Sequence, residues 1–470
     1  MTRLRIVALF ATALVAASAF AEGASTPGEL PLEAFAQLPL MQDAELSPDG
    51  SHVAFFYPLK GRNHLIIQPV FNADQRKVIP PPGELEFRWI NWANDNRLVF
   101  SAQFSGERYG VETTETRLGS IKRDGSDSQW IIKAKDPESS TGSKLSRTAQ
   151  GVAPQMQDDI VSWLPDERDY ILVSLDDDFD AKDEVRKVNV NNGDYKKVRG
   201  GFRGVQNWMA DKENVVRLGW GYHQSEFVVM FLNAEGDWTN ATRSDWWDRG
   251  FSPQEFTDDP MVVYAVGPGG NGSKVIVKMN ISDGTVLETV FSNGEMDVAG
   301  MQTDSWDGRP IGVNYVSHLP RTKYFDKEYD KLQRTAEKAF AGMSVEIESL
   351  SANHKQILVK VSSDTDPGVM YYWDREAKSM DVLAELMPGL TPELLSAVKP
   401  VSYPARDNYS VPGYLTLPTG GGEKNLPAIV LPHGGPAARD DQQFWFLTQF
   451  LASRGYAVFQ PNFRGSTGYG

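Results

Sequence analysis

A repeated unit of 44 to 46 residues limits the possible folds of this 470-residue chain more than any other feature. Each unit pairs a small polar turn, often containing Asp, with a run of β-branched and aromatic residues. Clear examples begin at Leu46, Ile90, Val161, Gln206, Ser252 and Glu348. Two larger gaps, of 71 and 96 residues, leave room for a long insertion and a missed unit.

A period in the mid-forties is the length of a four-stranded propeller blade. One blade cannot bury both of its faces alone, so neighbouring blades must stack around an axis. We therefore predict a mainly β chain in which residues 38–398 form an N-terminal β-propeller of about seven blades, after a lead-in at residues 22–37. An array of β-sandwiches is the alternative, since sandwich strands also recur at regular spacing. A separate helix is predicted at residues 326–342, which contain helix formers throughout.

The composition excludes several classes of function. With 47 basic and 62 acidic side chains, the formal net charge is −15. This balance argues against a nucleic-acid partner, because such a partner requires a basic protein face. The chain has no cysteine, which excludes disulfides, thiolate metal sites and a cysteine nucleophile. The hydrophobic share of 41% is sufficient for a sizeable buried core.

The N-terminus has the three parts of a signal peptide. Arg3 and Arg5 precede an apolar stretch at residues 6–20, and Ala19 and Ala21 provide a small-x-small cleavage pattern. We predict cleavage after Ala21 and a periplasmic or secreted mature protein, with no membrane span after the signal is removed. An uncleaved membrane anchor is the alternative, although a bilayer span needs about 20 apolar residues.

The sequence pattern changes after the propeller region. The stretch from Val401 reads as two strands joined by a polar turn, and the apolar run at residues 428–431 predicts a strand buried on both faces. A helix capped by Asp440 or Asp441 follows, and then a second buried strand. Strand, glycine loop, helix and strand form a parallel α/β unit. We therefore predict that residues 399–470 hold the first strands and helix of an incomplete α/β-hydrolase domain.

The motif His433-Gly434-Gly435-Pro436 has the clearest chemistry in the chain. It lies between the predicted strand and the predicted helix, where an α/β-hydrolase supplies a backbone N–H to the oxyanion hole. Prearranged donors stabilise the negative charge that develops on the former carbonyl oxygen, and glycine lets the backbone approach closely. We predict that His433, Gly434 and Gly435 form an oxyanion-hole loop. A simple tight turn is the alternative.

The segment LPAIVLPHGGPAARDDQQFWFLTQFLASRGYAVFQPNFRGSTGYG, from Leu426, resembles the opening of the catalytic domain in the prolyl oligopeptidase family. The similar branch is that of acylaminoacyl peptidases and dipeptidyl aminopeptidases. The resemblance implies a serine-type peptidase that hydrolyses peptide bonds of oligopeptides through an acyl-enzyme, with the propeller limiting access and no cofactor. We further predict that Arg464 contacts the substrate.

The expected nucleophile does not occur in the sequence. No G-x-S-x-G elbow is present in the 470 residues, although a serine hydrolase of this fold needs Ser, Asp and His in that order. The resemblance places Ser466 in a surface loop near the site entrance, and His433 in the oxyanion loop rather than in a triad. We therefore expect a truncated chain whose triad lies beyond Gly470 and which is inactive by itself. The alternative is a non-catalytic β-propeller binding protein with a vestigial hydrolase stub.

No metal site is predicted from the remaining polar residues. The other histidines are scattered without ligand spacing. The acidic clusters at residues 158–159 and 176–178 lack EF-hand spacing, and we interpret them as solvated loops. Trp246 and Trp247 are expected to pack between blades, with a place in the tunnel wall as the alternative. The expected partner is an oligopeptide substrate, and the sequence predicts neither its residue preference nor an oligomeric state.

Overall fold

A computed structural model gives the positions of residues 30–108, 110–133, 153–176, 182–242, 245–270, 272–420, 422–435 and 437–470. The predicted signal peptide at residues 1–21 lies outside these described residues. So do Asp177 and Asp178 of one acidic cluster, and Pro436 of the glycine motif. Within the described ranges, no helix combines the length and the apolar character that crossing a membrane requires.

A short helix, α1 (Leu32–Ala36), comes first, and from residue 42 to residue 385 the described chain forms seven successive antiparallel sheets. The first three sheets consist of β1 (Gln42–Leu46), β2 (His52–Leu59), β3 (Arg62–Pro69) and β4 (Lys77–Ile79); β5 (Glu86–Asn94), β6 (Arg97–Arg108), β7 (Val111–Lys122) and β8 (Gln129–Trp130); and β9 (Asp159–Ser162), β10 (Tyr170–Leu175), β11 (Glu184–Asn189) and β12 (Tyr195–Arg199). The next two consist of β13 (Asn207–Ala210), β14 (Val216–His223), β15 (Glu226–Leu232) and β16 (Trp238–Asn240); and β17 (Ser252–Phe256), β18 (Val262–Pro268), β19 (Lys274–Asn280) and β20 (Val286–Phe291). The last two consist of β21 (Val298–Thr303), β22 (Pro310–Val316) and β23 (Pro320–Tyr324); and β24 (Ser344–Leu350), β25 (Gln356–Ser363), β26 (Asp366–Asp374) and β27 (Ser379–Glu385).

Neighbouring sheets pack face to face through buried apolar clusters, and the last sheet packs on the first. Phe56 of the first sheet stacks on Phe87 of the second, with ring centroids 5.4 Å apart. Similar clusters join each later pair of neighbours. The ring closes where Phe55 of β2 packs with Leu358 and Met370 of the seventh sheet. A closed ring of radial antiparallel sheets is a β-propeller, so the predicted fold class is confirmed and the sandwich array is excluded.

The sixth sheet is the unit that the repeat analysis missed. It has three strands, and the helix α2 (Lys327–Ala339) follows its outer strand β23 and packs against both β23 and β24. Asp326 caps this helix by accepting hydrogen bonds from two backbone N–H groups of the first turn. Tyr329, Leu332 and Ala336 form its buried face. The helix predicted from the sequence is therefore present.

Two interpretations of polar and aromatic clusters have different outcomes. Trp246 is buried between the fourth and fifth sheets, as expected for packing between blades.

The acidic cluster at residues 158–159 is not a solvated loop. The Asp158 carboxylate accepts hydrogen bonds from Arg88, Ser101 and Thr116, at 2.6 to 2.7 Å. These donors come from three strands of the second sheet, so Asp158 links that sheet to the third.

The sheet after the propeller has a different topology. Its strands β28 (Val398–Pro404), β29 (Ser410–Thr416), β30 (Ala428–Val430) and β31 (Ala457–Pro461) lie side by side in the order β28-β29-β31-β30. β30 and β31 are parallel, whereas the other neighbours are antiparallel. A loop and the helix α3 (Phe446–Ser453) connect β30 to β31. This is the strand, loop, helix and strand unit that the sequence predicts.

The prediction that this first parallel strand is buried on both faces is wrong. β30 lies at the edge of its sheet and pairs only with β31 among the described strands. Helix α3 packs against β29 and β31. The side chain of Val430 is therefore 64% exposed. An apolar run predicts burial only where other elements cover both faces, and among the described residues the face of β30 that carries Ala428 and Val430 is open.

The helix α3 begins later than the sequence predicts, at Phe446, and neither Asp440 nor Asp441 caps it. The chain between residues 440 and 445 makes tertiary hydrogen bonds instead. The Asp440 N–H donates to Oδ1 of Asn462, and the Gln442 N–H donates to the carbonyl oxygen of His318 in the propeller. Such contacts outweigh the small differences in helix propensity between residues.

Candidate active site

The loop after β30 opens into a cavity of about 360 Å³. His433 and Gly434 form one wall, and Asp440, Phe444 and Trp445 lie on the segment that leads to α3. Parallel β30 and the chain reversal after it place the glycine loop at the carboxyl end of a strand. Ligands in open α/β sheets bind outside the carboxyl ends of the strands, so this cavity is the candidate site.

The His433 side chain is held on both of its nitrogen atoms. Its Nδ1 lies 2.7 Å from the carbonyl oxygen of Gly434, and its Nε2 lies 2.7 Å from Oγ of Ser466. Because a carbonyl oxygen only accepts, Nδ1 carries the hydrogen and Nε2 accepts from the Ser466 hydroxyl in the neutral ring. The ring also stacks on Phe463, with centroids 4.5 Å apart. Ser466 and Phe463 therefore fix the orientation of the glycine loop.

Gly434 and Gly435 present backbone N–H groups to the solvent. Both residues are exposed, and neither N–H has a hydrogen-bond acceptor among the residues that the structure describes. A Cβ at Gly434 would meet nothing within 4 Å, whereas a Cβ at Gly435 would lie 3.0 Å from the Ala437 nitrogen. Two adjacent free donors at the mouth of a cavity are what an oxyanion hole requires, and only the Gly435 position is crowded for a side chain. The assignment of His433, Gly434 and Gly435 to an oxyanion loop stays a prediction.

Asp440 joins the cavity wall to the end of β31. Asn462 accepts from the Asp440 N–H at 2.8 Å and donates to its carbonyl at 3.0 Å, and Gln460 donates to Oδ1 at 3.0 Å. The second carboxylate oxygen is buried without a partner among the described residues. Burial raises the pKa of the Asp440 carboxyl above its ordinary value, because the charged form is poorly solvated there.

Ser466 and Arg464 lie in positions that the sequence analysis did not anticipate. Ser466 lies in the expected loop, whose residues Arg464 and Thr467 are exposed, but its own side chain is only 6% exposed and bonds to His433. Arg464 is exposed and forms an ion pair with Asp407, and its guanidinium lies 4.5 Å from the ring centroid of Tyr409. Arg464 does not line the cavity beside His433. Its substrate contact stays a prediction.

The site is attached to the propeller through Arg439, which lies next to Asp440 in the cavity wall. Its guanidinium donates to the carbonyl oxygens of Val316 and Ser317, at 3.1 and 2.7 Å, and to the Tyr469 hydroxyl at 3.0 Å. These carbonyls belong to the turn between β22 and β23. The turns between the second and third strands of the propeller sheets thus lie on the face against which this last sheet packs.

A carboxylate of the propeller holds the loop that carries Ser466. Oδ2 of Asp297, just before β21, accepts hydrogen bonds from the N–H groups of Gly468 and Gly470, at 3.0 and 3.3 Å. The Asp297 N–H donates in turn to the carbonyl of Gly468. Sequence reasoning missed Asp297 and Arg439. Their partners are far away in sequence, and no local pattern marks either residue.

Among the described residues, no group of three or more histidine, aspartate and glutamate side chains is placed to hold a metal ion. The site offers the backbone donors of the glycine loop and the His433–Ser466 pair. These groups can stabilise an anionic oxygen at the mouth of the cavity.

The chain has relatives among known peptidases. It is 24% identical over 445 residues to dipeptidyl aminopeptidase BIII of Pseudoxanthomonas mexicana, an alignment that covers 92% of this chain and 60% of the relative. It is 28% identical over 225 residues to dipeptidyl peptidase family member 6 of Caenorhabditis elegans, which covers 43% of this chain and 30% of that relative. No family model matches the chain.

Among solved structures, a post-proline cleaving enzyme from Rickettsia typhi aligns over 93% of this chain and 66% of its own, with a TM-score of 0.57 and 11% identity. A puromycin hydrolase aligns over 95% of this chain and 69% of its own, with a TM-score of 0.56 and 13% identity. The chain has the prolyl oligopeptidase fold. It spans 60% of the length of the dipeptidyl aminopeptidase to which it is homologous.

The similarity to the dipeptidyl aminopeptidase includes both parts of the chain. In this chain the propeller ends at β27, and the next strands begin the sheet that carries the glycine loop. Both parts contribute to the alignment with the dipeptidyl aminopeptidase, because it covers 92% of the chain. The homology therefore extends beyond the last 70 residues, on which the sequence resemblance rested.

Proposed function

We propose that this chain is the front part of a serine-type peptidase that hydrolyses peptide bonds of oligopeptides through an acyl-enzyme. The observation that carries the proposal is the pair of exposed N–H groups at Gly434 and Gly435, which follow a parallel strand in a homologue of a dipeptidyl aminopeptidase. These donors would stabilise the negative charge of the tetrahedral intermediate, where electrostatic stabilisation contributes most to acyl transfer.

The proposed division of the chain follows the change in topology. Residues 38–398 would form the propeller unit that limits access, and residues 399–470 would begin the catalytic unit. The propeller restricts substrates to peptides in this proposal, because it lies against the segment that lines the cavity and leaves a folded protein little room to approach. The charged and apolar pattern of residues 1–21 supports export, with a mature N-terminus at Glu22.

The 470 residues by themselves are expected to be inactive. The sequence has no G-x-S-x-G elbow. The Ser466 hydroxyl has a histidine partner in His433, but the Nδ1 atom of that histidine faces a backbone carbonyl and not a carboxylate. A triad needs an acid there to stabilise the imidazolium.

The decisive experiment starts from the nucleotide sequence after the codon for Gly470. If an in-frame serine elbow follows, the continued protein should hydrolyse a chromogenic peptide. Gly435→Val in that protein should lower kcat by roughly 100- to 1,000-fold, the usual loss for one oxyanion donor. KM should change much less, because the interaction strengthens only as the oxyanion forms.

Gly422→Val is the matched control, because Gly422 is exposed and a Cβ there meets nothing within 4 Å. Its kcat should equal that of the parent protein. An unchanged kcat in Gly435→Val would remove the loop from the mechanism. A stop codon directly after Gly470, together with tight peptide binding by the chain, would instead favour a propeller binding protein.

A further inference from the structure

Trp306 has an unusual position for a residue at the tip of a hairpin. It lies in the turn between β21 and β22 of the sixth sheet, and yet it is only 9% exposed. Its indole Nε1 donates a hydrogen bond of 2.6 Å to the carbonyl oxygen of Leu350. Leu350 is the last residue of β24, the first strand of the seventh sheet. The side chain therefore leaves its own sheet and reaches along the inner strands of the ring.

The other neighbours of Trp306 come from the opposite side of the ring. The indole belongs to the buried cluster of the first two sheets, which includes Phe56 and Trp92. The guanidinium of Arg168, in the first hairpin turn of the third sheet, lies 5.1 Å from the Trp306 ring centroid. A side chain from the sixth sheet that touches the seventh, the first two and the third must lie across the central axis.

In each sheet, the turn between the first and second strands lies at the end of the propeller axis that Trp306 covers. The turns between β1 and β2, β5 and β6, and β24 and β25 surround a shallow depression of about 380 Å³, together with Arg168. The last sheet rests on the opposite end, where Arg439 contacts the turn between β22 and β23. Trp306 therefore lies at the end of the propeller axis that is remote from the glycine loop.

The turn that carries Trp306 is firmly attached. The buried Asp304 carboxylate accepts hydrogen bonds from the Trp306 N–H at 2.8 Å and from the Tyr329 hydroxyl of α2 at 3.0 Å. Nε2 of His354, in the first hairpin turn of the seventh sheet, lies 3.1 Å from the same carboxylate. Contacts from α2 and from the seventh sheet thus hold the turn in place, and the indole does not depend on its own packing alone.

We propose that Trp306 closes the remote mouth of the propeller channel, so that peptides reach the glycine loop from the side of the catalytic segment and not along the propeller axis. The statement about peptides rests on the proposed function, whereas the closure of the channel does not. Trp306 is therefore a specificity-determining residue. It excludes any substrate so long that one of its ends would have to extend out through the remote mouth.

The absence of cysteine from the sequence makes the closure directly testable. Glu45→Cys places one thiol near the remote end of β1, where the backbone carbonyl of this residue accepts a hydrogen bond from Trp92. Its rate of modification by a maleimide carrying a polyethylene glycol chain is measured in three backgrounds. These are the parent sequence, Trp306→Ala, and Trp130→Ala, which removes a partly exposed indole from the outer strand β8.

We expect modification to be roughly tenfold faster or more in the Trp306→Ala background, since the thiol no longer has to wait for local opening. Trp130→Ala should leave the rate unchanged. If circular dichroism shows that Trp306→Ala does not fold, Trp306→Leu takes its place, because leucine retains apolar contacts without spanning the axis. Equal rates in folded proteins with and without Trp306 would overturn the proposal. The assay requires no catalysis. If labelling is faster without Trp306 but the continued protein does not hydrolyse peptides, the closure is supported and only the proposed function is refuted.

Discussion

The Nε2 atom of His433 lies 2.7 Å from Oγ of Ser466, which is 33 residues later in the chain. The same imidazole contacts the carbonyl oxygen of Gly434 through Nδ1. The hydroxyl is therefore linked through one ring to the backbone that carries the two free N–H groups. A substitution at Ser466 should therefore change the mobility of the glycine loop, although Ser466 is not part of that loop.

Ser466→Ala should loosen the glycine loop. The hydrogen bond to His433 is lost, which reduces the free energy of unfolding by about 1 kcal/mol. Hydrogen exchange of the peptide that covers residues 431–435 should become faster, as mass spectrometry would show. Thr467→Ala is the matched control, because Thr467 is the exposed neighbour. Equal exchange in the two variants would mean that Ser466 does not hold the loop.

Ser466 should not react with a fluorophosphonate probe. Its hydroxyl is hydrogen-bonded to a histidine, but the partner of that histidine is a backbone carbonyl, and Ser466 is only 6% exposed. No carboxylate stabilises the protonated form of His433, and the burial of Ser466 limits access of the probe to its Oγ. Intact-mass spectrometry after incubation should show no adduct. An adduct that disappears in Ser466→Ala would establish a second nucleophile.

Asp304→Asn should lower the free energy of unfolding at neutral pH by about 2 kcal/mol. Burial opposes ionisation of Asp304, but hydrogen bonds from His354, the Trp306 N–H and Tyr329 outweigh it and lower its pKa from 3.8 to about 2. The stabilisation is complete above the unfolded pKa and is lost as the pH falls through the folded pKa. Urea unfolding at several pH values should show the difference from the parent shrinking between pH 4 and 2.

Glu45→Gln should have the opposite effect, and its pH dependence should lie in another window. Burial raises the pKa of Glu45 from 4.5 to about 8. The folded chain keeps a proton that the unfolded chain releases, so the free energy of unfolding falls with rising pH by up to about 1.4 kcal/mol per pH unit. The variant should gain stability over the parent between pH 4.5 and 8, and the gain should become constant above that range. A gain independent of pH would contradict the buried carboxyl.

Asp297→Ala should release the loop that holds Ser466. The carboxylate accepts hydrogen bonds from the N–H groups of Gly468 and Gly470, and both bonds are lost. Limited trypsin digestion should then cleave after Arg464 several times faster. Asp258→Ala is the control, because that carboxylate is highly exposed and pairs with Lys212 on the other face of the propeller. Identical cleavage rates would show that the propeller does not restrain this loop.

The features that were predictable from the sequence are local ones. The turn and strand repeat reports the alternation of exposed and buried positions within one sheet, and Asp326 marks the start of α2 by its own side chain. The sixth sheet was missed because its strands lack the long apolar run of the other units. Its first strand, Val298–Thr303, has only Val298 fully buried.

The features that were not predictable depend on distant partners. The exposure of Val430 reflects the lack of a covering element beside β30, and no residue near it in sequence reports that. The burial of Ser466 and the position of Trp306 depend on contacts with other sheets. Periodicity says which face of an element is apolar, but it does not say what lies against that face.

The closure of the ring has a consequence for how the protein is made. The Leu46 N–H in the first sheet donates to Oγ of Ser349 in the seventh, 303 residues later. At ribosomal rates of about 5–20 residues per second, roughly 15 to 60 seconds separate the synthesis of the two partners. During that time Val53 and Phe55, the residues of β2 that pack against the seventh sheet, have no native cover. The nascent first sheet therefore exposes one apolar face to the solvent until the seventh sheet leaves the ribosome.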